Sequence, residues 1–173
     1  MYSINYQMVL NKVSMKMYFI VRLILALHIA GIVIMAGTTM IDYLTFRVFW
    51  QLSGAGDNRA FGLIPLMAKY GVFVRTGAIT IILSGIALFM LDKGAIWAEP
   101  CFRVKTVLVV ILILNGLFVG NRQGHKLREA IGTHGADFLA YTLPIREVMN
   151  RFYPIQLSLF LLIIIISMIR TNA

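Results

Sequence analysis

Four long apolar segments limit what this chain can fold into more than any other feature of its sequence. They lie at about residues 17–41, 71–91, 104–120 and 153–169, and a helix needs about 20 residues to cross a hydrocarbon layer. Hydrophobic residues make up 60% of the 173 residues and charged residues only 13%, which excludes a water-soluble domain. Continuous apolar runs satisfy their backbone hydrogen bonds in a bilayer as helices, whereas barrel strands alternate. The sequence therefore predicts an all-α fold, an integral membrane four-helix bundle.

The rest of the chain fits one transmembrane domain over residues 17–173, preceded by an interfacial tail at residues 1–16. The first apolar run is longer than the roughly 7–15 residues typical of a signal peptide, so we expect it to be retained as a span. The formal charge is +9, and the basic residues flank the spans, where anionic lipid headgroups attract them. The expected partner is therefore the lipid bilayer and not nucleic acid.

Two long connections are predicted, at residues 42–70 and 121–152. The first contains "SGAGDNRAFG", which is typical of a flexible turn. Asp42 and Arg47 stand at the start of this connection and fit the end of the first helix. In the second connection, "HKLREAI" continues the third span as a helix into water. Two glycines are expected to end that helix: Gly132 and Gly135.

Residues outside the spans suggest no obvious metal site. Cys101 is the only cysteine, so an internal disulfide, a four-cysteine zinc site and a C-x-x-C motif are excluded. His125 and His134 lie in the second connection, and with Asp137 they provide too few ligands for a typical zinc site. We therefore interpret both histidines as ordinary surface residues.

His28 is the deepest ionisable residue of the first span. It lies in "LALHIAGIVIMAG", roughly 16 Å from the start of the span at about 1.5 Å per residue. An ionisable group in hydrocarbon is costly, so an intramembrane histidine is a functional candidate by default. Three such roles are open, namely a haem axial ligand, another metal ligand and a proton relay. The alternative is a neutral histidine that is hydrogen-bonded to a neighbouring helix.

Four further residues join His28 as candidates. Gly31, one turn after it, offers a small surface that suits either a flat macrocycle or a close helix. Arg75 and Lys105 lie just inside the second and third spans, where they either snorkel to the interface or meet a ligand. Lys105 enters from the same side of the membrane as the approach to His28, so it suits a carboxylate-bearing porphyrin. Asn115 is expected to hold a buried water or a ligand, or to bond across the bundle.

Small residues mark two predicted packing faces. The third span ends in a G-x-x-x-G motif formed by Gly116 and Gly120. The second span carries a weakly polar stripe with a four-residue spacing: Thr76, Thr80 and Ser84. Both patterns indicate close contact between helices.

The order of these features resembles the HemJ-type protoporphyrinogen oxidases. The matching features are His28 with the "AG" at Gly37, then "VK" at Val104–Lys105, and Asn150 with Pro154 at the entry to the last span. The resemblance covers about residues 18–169. A related resemblance to the CopD-like four-span membrane proteins rests on the first-span histidine and the glycine after it.

The resemblance implies a bundle that binds haem b in the inner membrane of a bacterium and oxidises protoporphyrinogen IX to protoporphyrin IX. It implies that His28 ligates the haem iron and that Lys105 is the catalytic residue, which binds a substrate carboxylate or takes protons. Electrons would pass to a quinone or a respiratory partner. We expect Gly31, Arg75 and Asn115 to contribute to the cofactor site.

Two other functions stay open. Ten methionines, including the pair Met15 and Met17, offer thioethers that suit Cu(I), as in a copper-handling membrane protein. A non-catalytic subunit or assembly factor of a larger membrane complex, or a homo-oligomer, would use the small-residue faces for helix contact.

Overall fold

The computed structural model describes the backbone of residues 2–134 and 138–169, and the side chains of residues 15–94, 97–120, 122–133 and 141–168. Within these residues the chain is helical apart from short turns and contains no strand. The helices follow in the order α1 (Tyr2–Gly54), α2 (Arg59–Gly62), α3 (Ile64–Leu91), α4 (Pro100–Asn115), α5 (Arg122–His134) and α6 (Phe138–Ile169). A stretch of π-helix at Gly116–Asn121 joins α4 to α5 without a break.

Four helical stretches are long and apolar enough to cross a membrane, which confirms the predicted all-α four-helix bundle. They are Met15–Gly54, Arg59–Leu91, Pro100–Thr133 and Tyr141–Met168. Large apolar side chains remain exposed along each of them, among others Val33, Leu83, Phe118 and Leu161. This surface suits contact with lipid tails, which are as apolar as the side chains themselves.

The helices extend well beyond the apolar runs on the side of the two predicted connections. α1 continues through Asp42 and Arg47, so the interpretation of these residues as a helix end is wrong. The first connection shrinks to a turn at residues 55–58, because α2 and α3 follow at once. Pro65 stands in the first turn of α3, where the missing N–H would have no helical acceptor.

The second connection is also largely helical. α5 contains the expected "HKLREAI" segment, passes through Gly132 and ends at His134, while Gly135 lies outside the described residues. α6 begins at Phe138, ahead of the apolar run at 153–169.

α1 and α3 pack against each other at two facing glycines. A Cβ atom on Gly77 would lie 3.0 Å from the carbonyl oxygen of Gly31 and 3.0 Å from the Cβ of Met35. Real Cβ atoms rarely come this close to backbone, so the contact depends on the missing side chain. Small residues at this point let the two helix backbones approach each other.

Two clusters of buried side chains hold the bundle together. One lies among the apolar runs and centres on Met35, Leu112 and Phe160. The larger one lies where α1, α2, α5 and α6 extend past those runs, and its aromatic members are Phe46, Phe49, Trp50, Phe152 and Tyr153. The helix extensions therefore form a packed second layer rather than flexible loops.

Candidate functional site

His28 contacts α3 in the middle of the apolar layer. Its Nδ1 atom lies 2.9 Å from the Oγ of Ser84. Ser84 has a single hydroxyl proton, which its Oγ donates to the carbonyl oxygen of Thr80 one turn earlier. When the hydroxyl donates in this way, Nδ1 of His28 is the donor in the bond to Ser84; in the other tautomer of His28, Ser84 donates to Nδ1 instead.

The position of this proton decides what the other ring nitrogen can do. With Nδ1 protonated, the Nε2 atom of His28 carries a lone pair. Metal-ligating histidines have this arrangement, in which one ring nitrogen donates to a protein oxygen and the other faces the metal. The same hydrogen bond also satisfies a neutral histidine that has no ligand. The contact with Ser84 thus fits both the ligand and the packing interpretation of His28.

A small cavity of about 50 Å³ adjoins His28. Side chains from α1, α3, α4 and α6 line it: His28, Ile32, Met35, Ala78, Ile81, Val109, Leu112, Ile113, Phe160 and Ile163. Among the described residues, His28 is the one ionisable residue in this lining. Pockets for drug-sized ligands hold about 300–1,000 Å³, so the cavity is far smaller than a whole macrocycle.

Lys105 lies on the face of α4 that lines this cavity. Val109 and Leu112, four and seven residues later, both contribute to the lining, and residues at these spacings share one face of a helix. The Lys105 side chain is half-buried. We expect Lys105 to lie on the side of the membrane from which His28 is approached. Its position on the cavity-lining face of α4 is compatible with that expectation.

The other three candidates do not gather around His28 as a ligand site would require. α3 occupies the surface at Gly31, as described above. Asn115 donates from Nδ2 to the Oε1 of Gln156 at 2.7 Å, which is a bond across the bundle. Arg75 donates from Nε to the carbonyl oxygen of Gly71 at 3.1 Å and lines a second cavity.

The second cavity holds about 150 Å³ and lies among α1, α3, the π-helix, α5 and α6. Asp42, on its wall, follows His28 by 14 positions on α1, which places this cavity about 21 Å farther along the helix axis. Its polar lining residues are Thr39, Asp42, Arg75, Arg128, Tyr153 and Gln156. The two cavities are therefore separate candidate sites within the described part of the chain.

A carboxylate and a phenol meet in the second cavity. The hydroxyl of Tyr153 donates to Oδ2 of Asp42 at 2.9 Å, and Tyr153 is fully buried. The sequence alone does not reveal this pair, because a carboxylate directly after an apolar run is typical of a helix terminus. No sequence pattern links two residues that are 111 positions apart.

Two arginines line the same cavity without reaching the carboxylate. Arg128 attracts Asp42 electrostatically. However, no described lysine, arginine or histidine nitrogen lies within 4.0 Å of an Asp42 oxygen. Within the described residues, Arg75 and Arg128 form no ion pair. The cavity wall therefore carries two positive charges and one negative charge.

Glycines form the wall of this cavity along the π-helix and the start of α5. They are Gly116, Gly120 and Gly124. A Cβ atom on Gly120 would lie 2.7 Å from Cζ of Phe152, so the predicted G-x-x-x-G contact is confirmed there. π-helical stretches are frequent at functional sites. The Nε2 of Gln156 donates to the carbonyl oxygen of Leu112, 3.2 Å away, just before the stretch begins.

The part of the chain that the structure describes contains no group of three or more His, Cys, Asp or Glu side chains that could hold a metal ion. His125 lies at the surface, 3.7 Å from Glu129. The His134 side chain and Asp137 lie outside the described residues. Met15 and Met17 are both exposed on α1.

Comparisons of the chain with models of protein families, with curated proteins and with solved structures found no match.

Proposed function

We propose that this protein binds haem b in a membrane through His28 and that oxidation of protoporphyrinogen IX is the activity to assay. One observation carries the proposal. The Nδ1 of His28 lies 2.9 Å from the Oγ of Ser84; in the tautomer in which Nδ1 donates to this oxygen, the lone pair of Nε2 is left for iron, and a histidine nitrogen is a common axial ligand of haem. The bacterial inner membrane, with its quinones, is the expected location.

The surroundings of His28 fit the iron-ligating end of this cofactor but do not enclose a macrocycle. The side chain is half-buried and therefore reachable from outside the bundle. Gly85 faces the imidazole, and a Cβ atom there would lie 3.4 Å from Cε1 of His28. Because the adjoining cavity holds only about 50 Å³, binding requires the spans to separate or the macrocycle to remain partly in contact with lipid.

The other residues near His28 suggest how a substrate would be held. Haem supplies one-electron transfer when it is bound. Lys105 has a compact charge on a flexible stem and lies one turn from a residue of the cavity lining, so it would bind a carboxylate of the porphyrinogen. Ser84 would orient the imidazole of His28, as outer-shell partners of ligating histidines do.

The visible absorption spectrum of the detergent-purified protein, oxidised and reduced, tests the haem proposal. We expect a Soret band in the unmodified protein and in His125→Ala, a matched control at an exposed histidine. His28→Ala should lose the band, and Ser84→Ala should weaken haem affinity by about tenfold or more. Protein that is expressed with ample haem and shows no Soret band would overturn the proposal.

Lys105→Ala separates haem binding from catalysis. This variant should keep the spectrum and lose oxidase activity, since Lys105 is assigned to the substrate and not to iron. Full activity in Lys105→Ala would remove Lys105 from the proposed mechanism while leaving the haem site intact.

A non-catalytic subunit of a membrane complex is the second candidate function. The observation that favours it is that Ser84 already satisfies a neutral His28. Absence of the Soret band, together with co-purification of a stoichiometric membrane partner, would support this alternative.

A further inference from the structure

The second cavity lies where the four apolar runs of the sequence begin or end. Asp42 directly follows the first apolar run, and Arg75 lies in the first turns of the second. Gly120 ends the third run and Tyr153 opens the fourth. All four apolar runs therefore reach this cavity with one of their ends, which is the level at which headgroups are expected.

The charges at this boundary favour an anion. Arg75 and Arg128 line the cavity from different helices and pair with no described carboxylate, whereas Asp42 is bonded to Tyr153. Both arginines are exposed, so a ligand can reach them from outside the bundle. Guanidinium groups bind phosphate and carboxylate oxygens through paired hydrogen bonds, and basic pockets between membrane helices are typical sites for lipid headgroups.

The size and shape of the cavity limit what it can hold. About 150 Å³ is room for a headgroup-sized group and not for a folded peptide or a macrocycle. Glycines form part of the lining, and described apolar side chains, such as Met67 and Phe49, form another part. A phosphate group flanked by the acyl chains of a lipid matches both the volume of the cavity and its apolar lining.

We propose that this cavity binds a phosphate oxyanion of net negative charge, in the form that an anionic phospholipid headgroup presents. Arg75 and Arg128 hold the phosphate oxygens. The negative charge of Asp42 repels the anion. The hydrogen bond from Tyr153 holds the Asp42 carboxylate in place on the cavity wall. The site is independent of the haem proposal, because His28 is about 21 Å away along α1.

The binding test uses the full chain in a non-ionic detergent after lipid has been removed. Dissociation constants are measured from the rise of the unfolding temperature during titration with phosphatidylglycerol, phosphatidylcholine or inorganic phosphate at constant ionic strength. We expect stabilisation by phosphatidylglycerol and little by phosphatidylcholine. Stabilisation by inorganic phosphate as well would support the oxyanion site and show that a free ion can also occupy it.

Variants decide whether this cavity is the site. Arg75→Gln and Arg128→Gln should each weaken binding about tenfold or more, because each loses charge-assisted hydrogen bonds. Arg122→Gln, on the same helix as Arg128 but outside the cavity lining, is the matched control and should change binding less than about threefold.

Asp42→Asn provides a test of opposite sign. The amide oxygen can still accept from Tyr153, while the negative charge facing the anion is gone, so affinity should rise by about threefold or more. The proposal is overturned if Arg75→Gln and Arg128→Gln bind as tightly as Arg122→Gln, if both lipids bind equally well, or if Asp42→Asn weakens binding. Unfolding temperatures without lipid show whether each variant is folded.

Discussion

The contact between Gly31 and Gly77 determines how closely α1 approaches α3, and Gly77→Ala tests it directly. The new Cβ atom would meet the Gly31 carbonyl oxygen at 3.0 Å, the Met35 Cβ at 3.0 Å and the Met35 nitrogen at 3.1 Å. Two of these atoms belong to the backbone of α1, so no side-chain rotation relieves the contact. The two helices must move apart by several tenths of an ångström.

Gly37→Ala is the matched control for this variant. Gly37 is also a helical glycine in a span, but a Cβ atom there would meet no described atom within 4 Å apart from the neighbouring backbone of its own helix. Both variants gain up to about 1 kcal/mol of helix propensity, whereas only Gly77→Ala incurs overpacking, which typically costs about 1–3 kcal/mol. The difference between the two variants is therefore the overpacking cost alone, about 1–3 kcal/mol.

The assay is unfolding in mixed micelles by titration with sodium dodecyl sulfate, followed by the fluorescence of Trp50 and Trp97. Gly77→Ala should be less stable than Gly37→Ala by the stated difference, and Gly37→Ala should be at least as stable as the unmodified protein. If Gly77→Ala is as stable as Gly37→Ala, the two helices do not touch at these glycines. The placement of Ser84 against His28 two turns farther along α3 would then also be in doubt.

The same unfolding assay checks three further predictions. His28→Ala, Ser84→Ala and the double variant should show a coupling free energy of about 0.5–2 kcal/mol, as expected for a hydrogen bond between spans; zero coupling would contradict the bond. Tyr153→Phe should destabilise the protein by about 1–3 kcal/mol because the carboxylate of Asp42 loses its donor, and unchanged stability would argue against that pairing. Ser53→Ala should be neutral or stabilising by up to about 1 kcal/mol, since the buried Oγ has no partner among the described residues; a clear loss of stability would show that the hydroxyl has one.

Part of the candidate chemistry was predictable because it depends on single residues in an apolar context. His28 and Arg75 stand out as ionisable residues in or near hydrocarbon, where burial is costly whatever surrounds them. The partners of these residues were not predictable. The hydroxyl that bonds His28 lies 56 positions away, and it belongs to a stripe of small polar residues whose spacing indicates only a packing face.

Asp42 shows the opposite case, in which local context was misleading. A carboxylate after an apolar run looks like a helix end, and only the continuation of α1 to Gly54 turns it into a residue of a cavity wall. The continuation is stabilised by aromatic contacts with α6, such as the rings of Phe46 and Tyr153 at 5.4 Å. These contacts form between segments that are far apart in the chain. Hydropathy, which is averaged over neighbouring residues, therefore cannot predict them.

The sequence by itself determined that this is a helical protein for a membrane, with four spans and small-residue faces between them. Hydrophobicity and backbone hydrogen bonding are local quantities that add up along each segment, so a window of about 20 residues suffices to recognise a span. Only the tertiary structure decided that His28 is hydrogen-bonded to Ser84 and that Asp42, Arg75, Arg128 and Tyr153 share one cavity. Those arrangements depend on which helix faces meet and on how far each helix is shifted along the membrane normal. Both are determined by the packing of all four spans against one another.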